Sequence, residues 1–350
     1  MGLFSKKKTI SMEFCSHEVR VVEGRYNKKN IFVDKCFTIP VDEGLYEDGI
    51  IKDVDKFMHV MQEGLARKKV SGGEVYGVIN SSNIIIREIR IPKVEEKQIA
   101  SIIEYQLDEY LPVEPEGYVV QFIPLDFVIE DGAEKQNIML IGVPKNIVEP
   151  HLNLLQNLDL KPVVLDYAGN AISKLISFND KINGAYSNNI TIACLDLEHE
   201  STALNIIEKG LMNISRVVKE EIRPIVFYDA ALTSDDFSRP EESHETDEAI
   251  ETDVSDNSVV SGLKRNLGVI LDGIDMVFRY YSSRETENDI DLILLHGDYS
   301  NIDGIENLIN GYFDIPCVKL NTLDKVKFNG DLAKYANAIG ALIRVNGVKQ

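Results

Sequence analysis

No stretch of eighteen apolar residues occurs in this chain, so no transmembrane helix is expected. No Cys-x-x-Cys pair occurs either. The four cysteines, Cys15, Cys36, Cys194 and Cys317, stand far apart, which argues against a structural zinc site or a disulfide framework. Three of them lie inside apolar, strand-like stretches and Cys15 follows one, where free cysteine behaves as a small hydrophobe. A basic stripe with interleaved aromatics is also missing. The formal net charge is −20, and Asp235 to Asp256 alone carries −9 of it, leaving −11 for the rest. An acidic body repels phosphate backbones, so nucleic-acid binding is not expected. The opening Met1-Gly2-Leu3-Phe4-Ser5-Lys6-Lys7-Lys8 is too short and too charged for a signal peptide, and a lysine at position six does not signal myristoylation. These features lead to the expectation of a cytoplasmic protein.

What is present is a globular composition, 44% apolar and 27% charged, over 350 residues, enough for two or more subdomains. Thr9–Phe14, Glu18–Tyr26 and Asn30–Pro40 read as three strands of a meander. A helix follows over Val54–Lys69, with Val54, Phe57, Met58, Met61 and Leu65 on one face. After Gly72-Gly73 comes a strand over Glu74–Asn80. The same order returns later. Asn189–Leu197, Thr202–Glu208 and Leu211–Val218 read as strands. A helix over Ser258–Tyr281, strand Asp291–His296, helix Ile302–Tyr312, strand Ile315–Leu320 and helix Leu332–Arg344 complete it. A meander plus helix met twice is a duplication of architecture, each half a mixed sheet with helices on its faces.

Between the halves, Val94–Leu111 reads as one amphipathic helix stopped by Pro112 and Pro115, and Tyr118–Ile129 and Gln136–Val143 as paired strands. The expected organisation is a first lobe over 1–92 and 145–187, an inserted α+β module over 93–144, and a second lobe over 188–350. Helix Ile147–Leu158, strand Lys161–Leu165 and helix Tyr167–Phe178 close the first lobe. Ser234–Asn257 reads as a solvated acidic loop without stable structure.

A duplicated α/β chain of this order resembles the actin-like ATPase fold, in which two hairpins bring Asp-x-Gly turns to one cleft. Glycine there lets backbone N–H groups reach phosphate. The first hairpin here reads Glu13-Phe14-Cys15-Ser16, with glutamate for the aspartate and cysteine for the glycine. The second reads Asp196-Leu197-Glu198, with glutamate for the glycine and Glu200 nearby. The third turn, His296-Gly297-Asp298, keeps one glycine. A carboxylate about 4 Å from a phosphate oxygen costs roughly 4 kcal/mol at an effective dielectric near 20. That is enough to abolish millimolar ATP binding unless a cation intervenes. His17, His199 and His296 all fall at this cleft, yet their spacing matches no metal motif, and cleft-lining histidines are the plainer reading.

The segments Ile103-Glu104-Tyr105-Gln106-Leu107-Asp108-Glu109-Tyr110-Leu111-Pro112-Val113 and Gly117–Gln121, together with Gly2-Leu3-Phe4, Val19–Glu23, Tyr280-Tyr281-Ser282-Ser283 and Tyr335–Arg344, follow one another in an order that resembles the PilM family of type IV pilus assembly. The resemblance spans nearly all of the chain except Glu220–Asn257. It implies a scaffold at the cytoplasmic face of the inner membrane that binds the N-terminal tail of a PilN-like bitopic membrane protein and contacts the pilus platform protein and motor ATPases. It also implies a nucleotide site formed by Glu13, Ser16, Arg20, Asp196, Ser201, Thr202 and Gly297, degenerate at both glycine positions. No catalytic or metal-binding residue is nominated, and ATP with magnesium is expected to bind weakly if at all. The competing readings are an ATP-binding actin-like ATPase or phosphotransferase, which needs a cleft base that no residue supplies, and an FtsA-like cell-division protein. The latter carries a C-terminal amphipathic membrane helix, whereas this chain ends directly after its last expected core helix. Lys6–Lys8 reads equally well as a solubilising terminus and as a weak attraction to anionic lipid.

Overall fold

The computed structural model describes residues 8–70, 72–111, 114–219, 257–284 and 288–344. The acidic stretch, Lys6 and Lys7 lie outside them. The first half opens with β1 (Thr9–Phe14), β2 (Glu18–Tyr26) and β3 (Ile31–Pro40), a short hairpin β4 (Tyr46–Glu47) and β5 (Ile50–Ile51), helix α1 (Val54–Arg67) and β6 (Glu74–Ile79). The module contributes β7 (Ile85–Pro92), α2 (Glu96–Tyr105), α3 (Leu107–Tyr110), β8 (Tyr118–Glu130) and β9 (Ala133–Pro144). The chain then returns through α4 (Lys145–Asn157), β10 (Lys161–Tyr167), α5 (Ala168–Phe178) and the hairpin β11 (Lys181–Ile182) and β12 (Ala185–Tyr186). The second half is β13 (Thr191–Leu197), β14 (Thr202–Glu208), β15 (Leu211–Val218), α6 (Asn257–Arg284), β16 (Leu292–His296), α7 (Ile305–Phe313), β17 (Cys317–Lys319), β18 (Val326–Lys327) and α8 (Ala336–Ala341).

Both halves build the same sheet. The first runs β10-β6-β1-β2-β3-β18 and the second β15-β14-β13-β16-β17, each an antiparallel meander extended by parallel strands. In each, the first strand sits centrally with helices on both faces, so β1 and β13 are buried along nearly their whole length. That placement is what carries Glu13 and Asp196 into the interior: they end strands with no solvent-facing side. Helix α1 is capped by Asp53, whose carboxylate accepts from the Lys56 amide. It buries Phe57, Met61 and Leu65, with Gly64 pressed on Ile39, while Val54 at its start is exposed.

Four details depart from the sequence pattern. The module's sheet runs β7-β9-β8, so it takes in Ile85–Pro92, upstream of the 93–144 boundary. The single helix expected over Val94–Leu111 breaks at Gln106 (φ −108°, ψ 15°), whose side-chain oxygen accepts from the Tyr110 hydroxyl. The expected helix over Leu332–Arg344 shrinks to Ala336–Ala341. Asp331 caps a preceding turn by accepting from the Lys334 amide, and the Ala333 carbonyl accepts from the Gly297 N–H at 3.1 Å and, at 3.5 Å, from the Ala336 N–H of a tighter turn. Finally β18, although in the second half of the sequence, pairs in parallel with β3 on the first sheet.

Candidate functional site

The ends of the central strands meet between the lobes, and a single guanidinium organises them. Arg20 sits opposite Glu13 in the β1–β2 ladder and is fully buried. Its Nε donates to Glu18 Oε1 at 2.7 Å, within its own strand. Its two Nη atoms donate to both oxygens of Glu198 in the β13–β14 turn, at 2.7 and 2.8 Å. Glu13 Oε2 lies 3.7 Å away. The fork-on-carboxylate geometry of Arg20 and Glu198 is the one an arginine uses to hold a phosphate. Here the anion comes from the opposite lobe of the same chain.

Asn337, on α8, ties the two strand ends together. Its Nδ2 donates to Glu13 Oε1 at 2.7 Å and to Asp196 Oδ2 at 2.8 Å. Burial raises the Glu13 carboxyl to about 7, against the pull of Arg20 and with a further push from Glu198. Asp196 is raised too, first by burial and then by Glu198 and Glu13. Two carboxyls bridged by one amide therefore hold onto protons that exposed carboxyls would have lost. His296, paired opposite Asp196 in the β13–β16 ladder, is buried with its Nδ1 3.5 Å from Asp196 Oδ1. Burial and the nearby Arg20 push it down to about 3, so its ring stays neutral.

Gly297 has φ 87°, in the left-handed region where glycine is favoured. A Cβ there would come within 2.5 Å of Asp196 Oδ1 and 2.8 Å of Glu198 Oε1. The turn after it points its Asp298 N–H at Glu198 Oε1, 3.3 Å away. The backbone approach expected of a phosphate turn is thus made to the Glu198 carboxylate. The Cys15 amide closes its own hairpin on the Glu18 carbonyl, and the Glu198 amide does the same on Ser201.

An outer ring of charge surrounds this centre. Asp298 accepts from His17 Nε2 and from Lys334 Nζ, each at 3.0 Å, and Lys334 also lies 3.0 Å from Glu18 Oε1. The His17 hydrogen bond, helped by Lys334, holds the Asp298 carboxyl well below the usual range. The same bond raises His17 against its partial burial. Ligand atoms of His17, Glu18 and Asp298 fall within 4.8 Å of one another, the one such group among the described residues. Its two carboxylates already carry Lys334 and Arg20 as counter-ions. The His199 ring lies tilted to those of His17 and Tyr299, and His296 is buried beside Asp196, so the three histidines form no common ligand group among the described residues.

Beside this centre lies a cavity of about 350 Å³ lined by Ser16, Ser201 and six carboxylates, those of Glu13, Glu47, Asp48, Asp196, Glu198 and Glu200. Among the described residues, Lys219 is the only cation in its wall, and it is paired with Asp48. Of the residues expected at the site, Glu13, Ser16, Asp196 and Ser201 meet at this cavity. Arg20, Thr202 and Gly297 are packed behind it. Asn337, Lys334 and Asp298 were not anticipated. The signal for Asn337 was available: an amide alone in the apolar run Ala336-Asn337-Ala338-Ile339 is costly to bury without partners.

A family model described as type IV pilus assembly protein PilM matches residues 11–339. The chain belongs to the PilM family. Among solved structures, a PilM-PilN type IV pilus biogenesis complex superposes with a TM-score of 0.69 at 17% identity, covering 96% of this chain and 98% of that one. A Bacteroides thetaiotaomicron protein with an actin-like ATPase fold matches at 12% identity and a TM-score of 0.47, covering 98% of each chain. Spiroplasma citri MreB5 bound to AMPPNP matches at 11% identity and 0.49, covering 96% and 95%. The two duplicated sheets are the fold that this chain shares with the PilM-PilN structure. No helix among the described residues is long and apolar enough to cross a membrane. In this PilM-family chain, the strand ends of the actin-like cleft are joined to each other by charge and hydrogen bonds.

Proposed function

We propose that the protein is a scaffold of the type IV pilus assembly machine that receives the N-terminal tail of a PilN-like membrane protein and no longer depends on a nucleotide. The scaffold works at the cytoplasmic face of the inner membrane, held there by partners that include the platform protein and the motor ATPases. Family membership over residues 11–339 and the shared fold with a PilM-PilN complex support the pilus role.

The observation that carries the nucleotide-independent part is Glu198. Its carboxylate fills the Arg20 fork from the opposite lobe, in the way a phosphate would. A nucleotide entering the adjoining cavity would also meet six acidic side chains, two of which, Glu13 and Asp196, hold their protons more tightly than exposed carboxyls, and among the described residues a single lysine already paired with Asp48. One uncompensated carboxylate near a phosphate costs roughly 4 kcal/mol, about the whole binding energy of a millimolar ligand. With the Arg20 fork filled by Glu198 and Lys219 paired with Asp48, no described cation in or behind the cavity wall is left to receive a phosphate, and no catalytic step is assigned to the cleft.

Two titrations on the full chain test the reading. Calorimetry with magnesium–ATP is expected to give no saturable heat below the millimolar range, and a micromolar dissociation constant overturns the nucleotide-independent scaffold. A peptide copying the cytoplasmic tail of the PilN-like partner is expected to bind without ATP, and binding only in its presence, or none at all, rejects the proposal.

A further inference from the structure

The second-lobe sheet ends at β15 and the module sheet ends at β7, and neither edge has a further strand partner among the described residues. The two edges face each other across a cleft of about 590 Å³. Its walls carry four arginines, Arg87, Arg90, Arg216 and Arg284, against one carboxylate, Glu88. On a molecule with a formal charge of −20, this is a local reversal of sign.

The cleft is bridged as well as charged. Arg284, at the end of α6, donates to Glu88 of β7 at 2.6 Å and to Asn213 of β15 at 2.8 Å, fixing the spacing of the two edges. Arg87 donates to the Tyr110 carbonyl, and Arg90 to Glu130 and Asn137. Arg216 is exposed and makes no ion pair among the described residues. On the rim, α6 presents Tyr280, which is 58% exposed.

We propose that this cleft is a docking site for an extended, acidic segment of a partner protein, bound by strand addition to one of the facing edges. A sheet edge offers a ladder of N–H and C=O groups to an extended chain. Arg216 beside it takes a carboxylate of the incoming segment, and the exposed Tyr280 takes an apolar side chain next to that carboxylate. The site lies away from the cavity at Glu198 and shares none of its lining residues.

Fluorescence anisotropy of the full chain with a labelled eight-residue peptide alternating Glu and Val tests this. The peptide is expected to bind and a Lys/Val counterpart is not. Arg216→Ala should weaken binding about tenfold, the loss of one charge-assisted hydrogen bond, with the thermal midpoint unchanged. N-methylation of alternate backbone amides, which keeps every charge, should weaken binding by a similar factor. Equal affinity of the methylated peptide, or of Arg216→Ala, overturns the proposal. So does displacement of the peptide by micromolar nucleotide, which would make the site a phosphate pocket. Binding that emerges only after removal of residues 235–256 also overturns it, because the occupant would then be this chain's own acidic stretch.

Discussion

At the scale of single residues, the centre of the molecule is an arginine surrounded by acids. Arg20 satisfies Glu18 and Glu198 directly, and Glu13 and Asp196 keep their places by sharing the Asn337 amide. Glu13 has a folded-state value near 7 against an ordinary 4.5. The folded protein therefore retains a proton that the unfolded chain releases between those values, and its stability falls as pH rises through that window. Glu13→Gln carries no such proton. Its thermal midpoint should gain on the parent protein from pH 5 to pH 8, by on the order of 1–3 kcal/mol of stability, and a flat difference across that range removes the assignment. Glu198→Ala tests the other half of the arrangement. It frees both Nη atoms of Arg20, so inorganic phosphate should stabilise this variant at millimolar concentration and leave the parent protein unaffected, read as a shift in melting temperature.

At the scale of elements, most strands and helices were legible because their apolar periods are clear. The meanders over residues 9–40 and 191–218 fall where alternation and polar turns place them. What period could not reveal was the short helix α8, since Leu332, Ala333 and Ile339 continue a helical pattern that the Ala333–Gly297 hydrogen bond interrupts. Nor did it reveal the edge strand β7, whose Arg87, Glu88 and Arg90 dilute its apolar alternation. In the site, Glu13, Asp196 and Glu198 were legible from hairpin position, while the Asn337 bridge depends on a helix arriving from the far end of the chain. The packing of that helix makes a sharp prediction. A Cβ on Gly340 would stand 2.1 Å from the Ala171 carbonyl oxygen in α5, which backbone cannot yield. Gly340→Ala should destabilise the protein by about 1–3 kcal/mol or more, seen in denaturant titration, despite alanine's better helix propensity.

At the scale of the whole molecule, the lobes are fastened by Arg20–Glu198, His17–Asp298 and the two-sided Asn337 amide. The strand β18 and helix α8 add second-half residues to the first sheet and its faces. The protein should consequently unfold in one cooperative transition, with calorimetric and van't Hoff enthalpies in agreement. Two resolved transitions would mean that the lobes are energetically separate. Because Arg20 is fully buried, added salt should move the midpoint little.

The pairing of Val326 and Lys327 with Ile31 and Phe32 also bears on the order of events during synthesis. A ribosome that has made the first three strands has made a sheet whose outer border stays open until Val326 and Lys327 have followed. Contacts of such sequence separation slow the search for the native topology and prolong the exposure of apolar edges. The nascent N-terminal lobe is thus a client in waiting, finished only when Val326 and Lys327 fold back to close it.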